Sequence, residues 1–363
     1  MIERLIEASS SEENRERWVR QIATAIPQSR KIVFDAERAA ATDPQTCFEF
    51  DADGYATLHS GSTSFDAGRF EIPTVAELRS RAIAKSNAGP GRLFVLHGTS
   101  AFADVATLQA FFGDGALFQV ASQFNTLEAP APSIVRIGDY FHDPTQGPRA
   151  AVSAFPGALL RHYAAPRADG TRFTQIEDGE QIELLREVAR PEIARVRNGY
   201  LQAGNIADPV AFAEVLTRSA ESIRVGVHDG IEAARGFAWD GPAADPHPRI
   251  AQVFTSTLAA GGYGHVDFEA DPWRTVVETL LRAAYLGTLF AAASLGRKTV
   301  VLTLIGGGVF ANPHAMIRAA IAQAFDEARV LGLGLDVIVN IRENDSTSWG
   351  LVAGERGGAV VEV

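Results

Sequence analysis

The spacing of apolar residues changes near residue 90, and that change divides the chain. Before it, Trp18, Val19, Ile22 and Ile26 mark one face of a helix from about Glu12 to Ile26, with Ser9 to Ser11 as its cap. The stretch from about Ala36 to Ala67 reads as polar and turn-rich. Thr74 then caps a helix through about Ala84, and Glu77 three residues on completes a capping box. Ser86 to Gly91 is the break. After it, short apolar runs alternate with helical periodicity. The runs Arg92–His97, Leu117–Ser122, Ser222–Val227, Ile250–Thr255, Thr299–Leu304 and Leu335–Ile341 read as strands. Asp104–Phe112, Gly147–Leu160, Glu180–Val196, Val210–Ala220, Pro272–Ser294 and Asn312–Leu331 read as helices. Strands alternating with helices predict an α/β fold with a mixed, largely parallel sheet. The expected organisation is a mainly helical part, 1–90, followed by a core, 91–363.

Composition narrows the reading. The chain has 363 residues, 46% of them hydrophobic and 21% charged, so it is globular. With 33 Lys+Arg against 44 Asp+Glu the net charge is -11, which argues against coating nucleic acid or an anionic membrane by bulk attraction. Only Lys31, Lys85 and Lys298 are lysines, and the arginine and alanine bias suggests a GC-rich bacterial genome. A single cysteine, Cys47, forbids an intramolecular disulfide or a multi-cysteine metal site. The acidic N-terminus lacks an apolar signal core, and apolar stretches of the length a transmembrane span needs are not apparent. A cytoplasmic setting is the expectation. The eight histidines show no metal-ligand spacing, there is no nucleophile elbow, and neither a metal nor a cofactor is called for.

The most informative run is Thr299 to Gln323. A buried strand ends in Gly306-Gly307-Gly308, then Val309-Phe310-Ala311-Asn312-Pro313 leads into a helix. Glycines let backbone N–H groups approach a ligand closely, and a helix N-terminus adds positive potential. Together they suit a phosphate or diphosphate at the ends of the strands. No Lys-Ser/Thr follows, so the run is not a P-loop, and G-x-G-x-x-G spacing is missing.

This run, Gly307 to Pro313, resembles the second phosphate loop of macrodomains. Other segments resemble that family in order: Leu96-His97-Gly98-Thr99 near an adenosine site, Val120 to Glu128 at a distal-ribose strand, and Asp143 to Val152 at a first phosphate loop entering a helix. The resemblance covers about 92–164 and 222–345, leaving an insertion at about 165–298. It implies a three-layer α/β/α core and places Gly306, Gly307, Gly308, Val309, Phe310 and Asn312 on an ADP-ribose diphosphate. The layout resembles enlarged bacterial effector macrodomains. It therefore implies an ADP-ribosyl hydrolase acting on a modified protein, with arginine-linked adducts and ubiquitin among the implied targets. The partner is then ADP-ribose or an ADP-ribosylated protein, met in the cytoplasm or, for a secreted effector, in a host cytosol. A non-catalytic ADP-ribose reader would use the same loops.

Residue chemistry adds candidates. Thr145 can cap a helix whose Gln146 and Gly147 N–H groups face an anion. Gln123 and Asn125, two apart beyond a strand, offer donors and acceptors to ribose hydroxyls. Asp229 and Glu232, after the strand ending at Val227, are carboxylates of the kind an oxocarbenium-like reaction needs, although a solvated turn would use the same residues. Asp240 and Asp245 offer further charge, and Asn344 and Trp349 follow the last strand, where Trp349 could stack on adenine.

Overall fold

The structure, a computed structural model, describes residues 1–23, 27–85, 89–342 and 346–363. Ser11 accepts from the Asn14 N–H and starts the helix Glu12–Ala23; Ile26, its expected end, and Ser86 to Ala88 lie outside the described residues. Among the described residues ten strands form one sheet. They are β1 (Phe48–Phe50), β2 (Ala56–Ser60), β3 (Thr63–Glu71), β4 (Arg92–His97), β5 (Leu117–Ala121), β6 (Gly226–Glu232), β7 (Arg249–Thr255), β8 (Thr299–Leu302), β9 (Asp336–Ile341) and β10 (Val360–Glu362). Their order across the sheet is β1-β2-β3-β6-β7-β5-β8-β9-β4-β10.

The sheet has two halves. From β7 to β10 all neighbours are parallel, and burial extends to both faces, with Leu93, Val95, Val300 and Val337 on one and Phe94, Leu96, Val301 and Ile338 on the other, as parallel strands require. From β1 to β7 the pairing is antiparallel. Part of the antiparallel half comes from residues 36–67, where an alternation (Phe48/Phe50, Ala56/Leu58, Phe65/Ala67) runs between glycine turns. The N-terminal part thus extends the central sheet by three strands instead of standing apart. The capping box is present: the Glu77 N–H donates to Thr74 Oγ1 at 3.2 Å and the Thr74 N–H to Glu77 Oε2 at 2.7 Å.

Helices cover both faces. On one lies α1 (Trp273–Ser294), packed between Val75–Ala84, Pro209–Ser219 and α2 (His314–Val330). α1 is long and apolar enough to cross a membrane by length and composition, and it was not expected to be. Most of it is buried among its neighbours, which accounts for its apolar composition, while Arg274, Glu278 and Arg282 form a charged stripe along its first half. On the other face lie Lys31–Thr42, α3 (Gln146–Ser153) and α4 (Phe155–Tyr163). The single helix expected over Gly147–Leu160 is broken at Ala154, ahead of Pro156. Glu180–Val196, expected as a helix, forms isolated turns, because Pro191 interrupts the ladder and the Ile182, Leu184 and Arg195 amides donate instead to Gln175 Oε1, Phe124 O and Asn205 O in other loops. The strand expected over Ser222–Val227 begins four residues later, at Gly226.

Two crossovers diverge at β5: the chain leaves β7 on one side of it and returns as β8 on the other. A crevice at the C-terminal ends of the parallel strands is the consequence.

Candidate functional site

The crevice is a cleft of about 990 Å3 at the ends of β5, β7, β8 and β9, where Ser122, Ser256, Thr303 and Arg342 all line it. Its two rims are the glycine loop after β8 and the start of α3.

The glycine loop is held from beneath. Tyr285, buried in α1, donates its hydroxyl to the Thr303 carbonyl at 3.0 Å and accepts from the Ile305 N–H at 3.0 Å. Gly306 has φ +73°, and a Cβ there would overlap Thr257 and Asn312, so only glycine fits. At Gly307 a Cβ would press on His314, whose Nε2–H donates to the Gly307 carbonyl at 2.9 Å. Gly308 has open space before it. The N–H groups of Gly308, Val309 and Phe310 donate to no acceptor among the described residues, and all three residues line the cleft. This is a row of free amide donors of the kind that binds anions. Val309 is 60% exposed, whereas Phe310 is buried against Tyr200 and Tyr263, with ring centroids at 5.5 and 5.4 Å. Asn312 lies outside the cleft. Its Nδ2 donates to Leu258 O at 2.9 Å and Phe310 O at 3.2 Å, and its Oδ1 accepts from Thr257 Oγ1 at 3.3 Å. It is a buried brace for the loop, not a group facing a ligand.

The opposite rim runs from Asp143 to Pro148. Thr145 occupies the N-cap position of α3, but its side chain accepts no capping bond: its hydroxyl and N–H both donate to Asp143 Oδ1. Gln146 acts as a strand substitute, accepting the Ala121 N–H at 3.0 Å and donating to Gln119 O at 3.1 Å. Those bonds pin the helix start to β5. Gly147 is buried so tightly that a Cβ would overlap Ala121 O and Glu128 Oε2. Of the first turn of α3, Pro148 carries no N–H and Arg149 donates to Thr145 O, which leaves the Gln146 and Gly147 N–H groups without an intrahelical partner.

Between the rims the chain makes a tight turn after β5. The Gln123 N–H donates to Leu127 O and the Thr126 N–H to Gln123 O, with Thr126 at φ 66°. Gln123 lines the cleft, and its Oε1 is buried without a partner. Asn125 does not line it, because its Oδ1 accepts the Leu127 N–H and its Nδ2 donates to Gln181. The turn delivers Glu128 into the cleft floor. Glu128 is 2% exposed, its N–H donates to Tyr140 Oη at 2.9 Å, and its Oε1 has no partner. Burial pushes its carboxyl well above the usual range, Arg161 partly offsets this, and Asp143 adds to it. Burial therefore favours the neutral acid over the carboxylate. Sequence reading passed over it, although a lone glutamate set among Phe124, Leu127, Ala129 and Pro130 is itself a signal.

Asp229 and Glu232 do not reach the cleft. They sit in the second half of β6, which runs antiparallel to β7, so they lie at the opposite end of the sheet. Asp229 accepts from Arg297 Nη2 at 2.6 Å and from Tyr55 Oη at 2.8 Å, and Glu232 is held by His247 Nδ1 at 2.5 Å and the Asp66 N–H at 3.0 Å. Asp240 is taken by Arg30, and Trp349 is wholly buried outside the cleft. His97 pairs with Glu362, and the run Leu96 to Thr99, expected near an adenosine site, does not line the cleft, which Ala103 and Val105 reach instead. Asn344 lies outside the described residues. Among the described residues no cluster of His, Cys, Asp or Glu could hold a metal.

No protein-family model matches the sequence, and no curated protein matches it. Among solved structures the chain is similar to a poly(ADP-ribose) glycohydrolase from Deinococcus radiodurans in complex with ADP-ribose, at 16% identity and a TM-score of 0.44, over 79% of this chain and 93% of that one. It is also similar to a poly(ADP-ribose) glycohydrolase from Thermomonospora curvata, at 14% identity and a TM-score of 0.39, over 90% of this chain and 100% of that one.

Proposed function

We propose that this chain is an ADP-ribosyl hydrolase, releasing ADP-ribose from a modified protein. The observation that carries the reading is Glu128, a buried carboxyl with an unpartnered oxygen in the floor of a cleft whose two rims offer unpaired backbone N–H groups. A diphosphate would lie between the Gly308–Phe310 amides and the first turn of α3, which explains how a chain of net charge -11 binds an anion. The distal ribose would then reach Gln123 and Glu128, with the Tyr200, Tyr263 and Phe310 rings as its wall.

The chemistry follows from the protonation state. Glu128 gives its proton to the leaving atom as the bond from that atom to the anomeric carbon breaks, and the bonding pair stays on the leaving atom. Water adds to the oxocarbenium-like carbon and passes its surplus proton back to the Glu128 carboxylate. No metal enters. Arginine-linked adducts, including those on ubiquitin, are the first substrates to assay, in a cytoplasmic or, for an effector, host-cytosolic setting.

The test is to incubate the protein with arginine-, serine- and glutamate-linked ADP-ribosylated proteins and to measure free ADP-ribose. Release that disappears in Glu128→Gln, with a ligand-induced rise in Tm retained, supports hydrolysis. Binding without release from every linkage turns the reading to a reader module. An unchanged Tm at saturating ADP-ribose sinks both.

A further inference from the structure

Behind the Glu128 turn lies a cation that the reaction above does not use. Arg161 projects from α4 and is 1% exposed. Its Nε donates to Thr126 O at 3.2 Å, its Nη1 lies 3.2 Å from His228 Nδ1, and its guanidinium carbon stands 3.6 Å from the Phe254 ring centroid. The histidine settles its own tautomer. His228 Nε2 is 2.7 Å from the Ala67 carbonyl, which can only accept, so Nε2 carries the proton and Nδ1 is free to accept from Arg161. Neither of Arg161's acceptors is a carboxylate. A fully buried charge whose partners among the described residues are a carbonyl, a neutral imidazole and an aromatic face is costly to keep.

We propose that Arg161 is a positioning residue for Glu128: it fixes the Thr126 carbonyl so that the turn aims the carboxyl into the cleft, and it supplies the cation facing that carboxyl once its proton has gone to the leaving atom. The inference rests on the reading of Glu128 as the acid of the reaction. The geometry of the turn supports the first half. With Thr126 at a positive φ, the turn's carbonyls point into the protein, where Gln175 Nε2 takes Asn125 O at 3.1 Å and Arg161 O at 2.9 Å. Gln175 Oε1 in turn accepts the Ile182 N–H at 2.9 Å, so the insertion clamps both the turn and Arg161.

Charge balance supports the second half. Tyr140 holds the Glu128 N–H, while the charges that act through space on the Glu128 carboxyl are Arg161 on α4 and Asp143 in the segment that follows; among the described residues neither is hydrogen-bonded to it. Arg149 on α3 is committed to Asp104. Asp143 raises the acid's proton affinity, and Arg161 is the group that opposes this. Burial lowers Arg161 itself to about 9, so it stays charged at neutral pH. Once its proton has gone, the Glu128 carboxylate carries the charge opposite to that of the buried Arg161, whose positive charge favours the ionised form. That makes Glu128 a stronger donor than burial alone would allow.

The experiment reads Glu128 directly. The infrared carboxylic C=O band that vanishes in Glu128→Gln is titrated against pH in the wild type, Arg161→Lys and Arg161→Met, with Tm confirming the fold of each. The expected result is an upward move of the titration midpoint by roughly one pH unit or more in Arg161→Met, equivalent to an acid about tenfold weaker, and little movement in Arg161→Lys. The basic limb of the pH–rate profile for ADP-ribose release should move with it. An unmoved midpoint in Arg161→Met, or equal movement in the lysine variant, overturns the proposal. Should Arg161→Met fail to fold, Arg161→Gln keeps a donor for Thr126 O, deletes the charge and carries the same comparison. A wild type that releases nothing while its band titrates normally removes the hydrolase reading and leaves the Arg161 result legible by itself.

Discussion

Gly147 and Glu128 share one space: a Cβ on the glycine would overlap the glutamate's Oε2 and the Ala121 carbonyl oxygen. The helix start and the acid are thus fitted to each other. In Gly147→Ala, α3 must move off β5 and lose the two Gln146 side-chain bonds to that strand, or Glu128 must turn aside. Overpacking of this kind costs about 1–3 kcal/mol. We expect a lower denaturation midpoint together with a fall of at least about tenfold in kcat/KM for ADP-ribose release, because a displaced acid of about 1 Å is enough for that. Full activity in Gly147→Ala would show that the fit is not functional.

Replacing the acid while keeping its shape separates binding from chemistry. Glu128→Gln should bind ADP-ribose as the wild type does and release it roughly 10²–10⁴-fold more slowly. In the wild type, activity should fall as pH rises through the raised value of Glu128. Stability follows the same group. Glu128 holds its proton more tightly folded than unfolded, so its contribution is complete below the unfolded value and is lost as pH rises toward the folded one. Across that window the wild type should lose Tm relative to Glu128→Gln. Parallel Tm curves for the two proteins would contradict the burial argument.

Asp229 belongs to the far end of the sheet, where it joins Arg297 and Tyr55. Asp229→Ala should leave the ADP-ribose-induced rise in Tm unchanged and lower the unfolding free energy by about 1–3 kcal/mol, since two partly buried donors lose their acceptor. Calorimetry and denaturant titration of the same variant give both numbers. Loss of ligand binding with stability intact would place Asp229 back in the site.

What local pattern can and cannot carry is visible in these residues. The parallel core was legible because β4, β5, β8 and β9 are buried on both faces and so read as continuous apolar runs. The glycine loop was legible because Gly306 answers to its own backbone angle. Strand direction is not written in a strand's own residues, and the antiparallel run of β6 carried Asp229 and Glu232 away from the cleft. Asn125 and Asn312 looked like ligand groups, yet each is consumed by a backbone group in its own loop. Glu128 owes its chemistry to Tyr140, Asp143 and Arg161, and the last of these is 33 positions away in the chain.

Asn312 tests whether a brace beneath the loop governs the loop's grip. Its Nδ2 bonds to Leu258 O and Phe310 O join the end of the glycine run to the segment after β7. In Asn312→Ala those carbonyls lose their donor inside the protein, at about 1–3 kcal/mol, and the Gly308–Phe310 amides lose their fixed row. The acid is untouched. Affinity for ADP-ribose should therefore fall, and KM rise, by roughly tenfold, while kcat at saturation stays within a few-fold of the wild type, since only interactions common to ground and transition states have been weakened. Asn312→Asp makes the sharper comparison. It cannot donate to either carbonyl and sets a negative charge beneath an anion, so its KM should exceed that of the alanine variant. A KM in Asn312→Asp at or below that of Asn312→Ala would mean that the glycine loop does not hold the diphosphate.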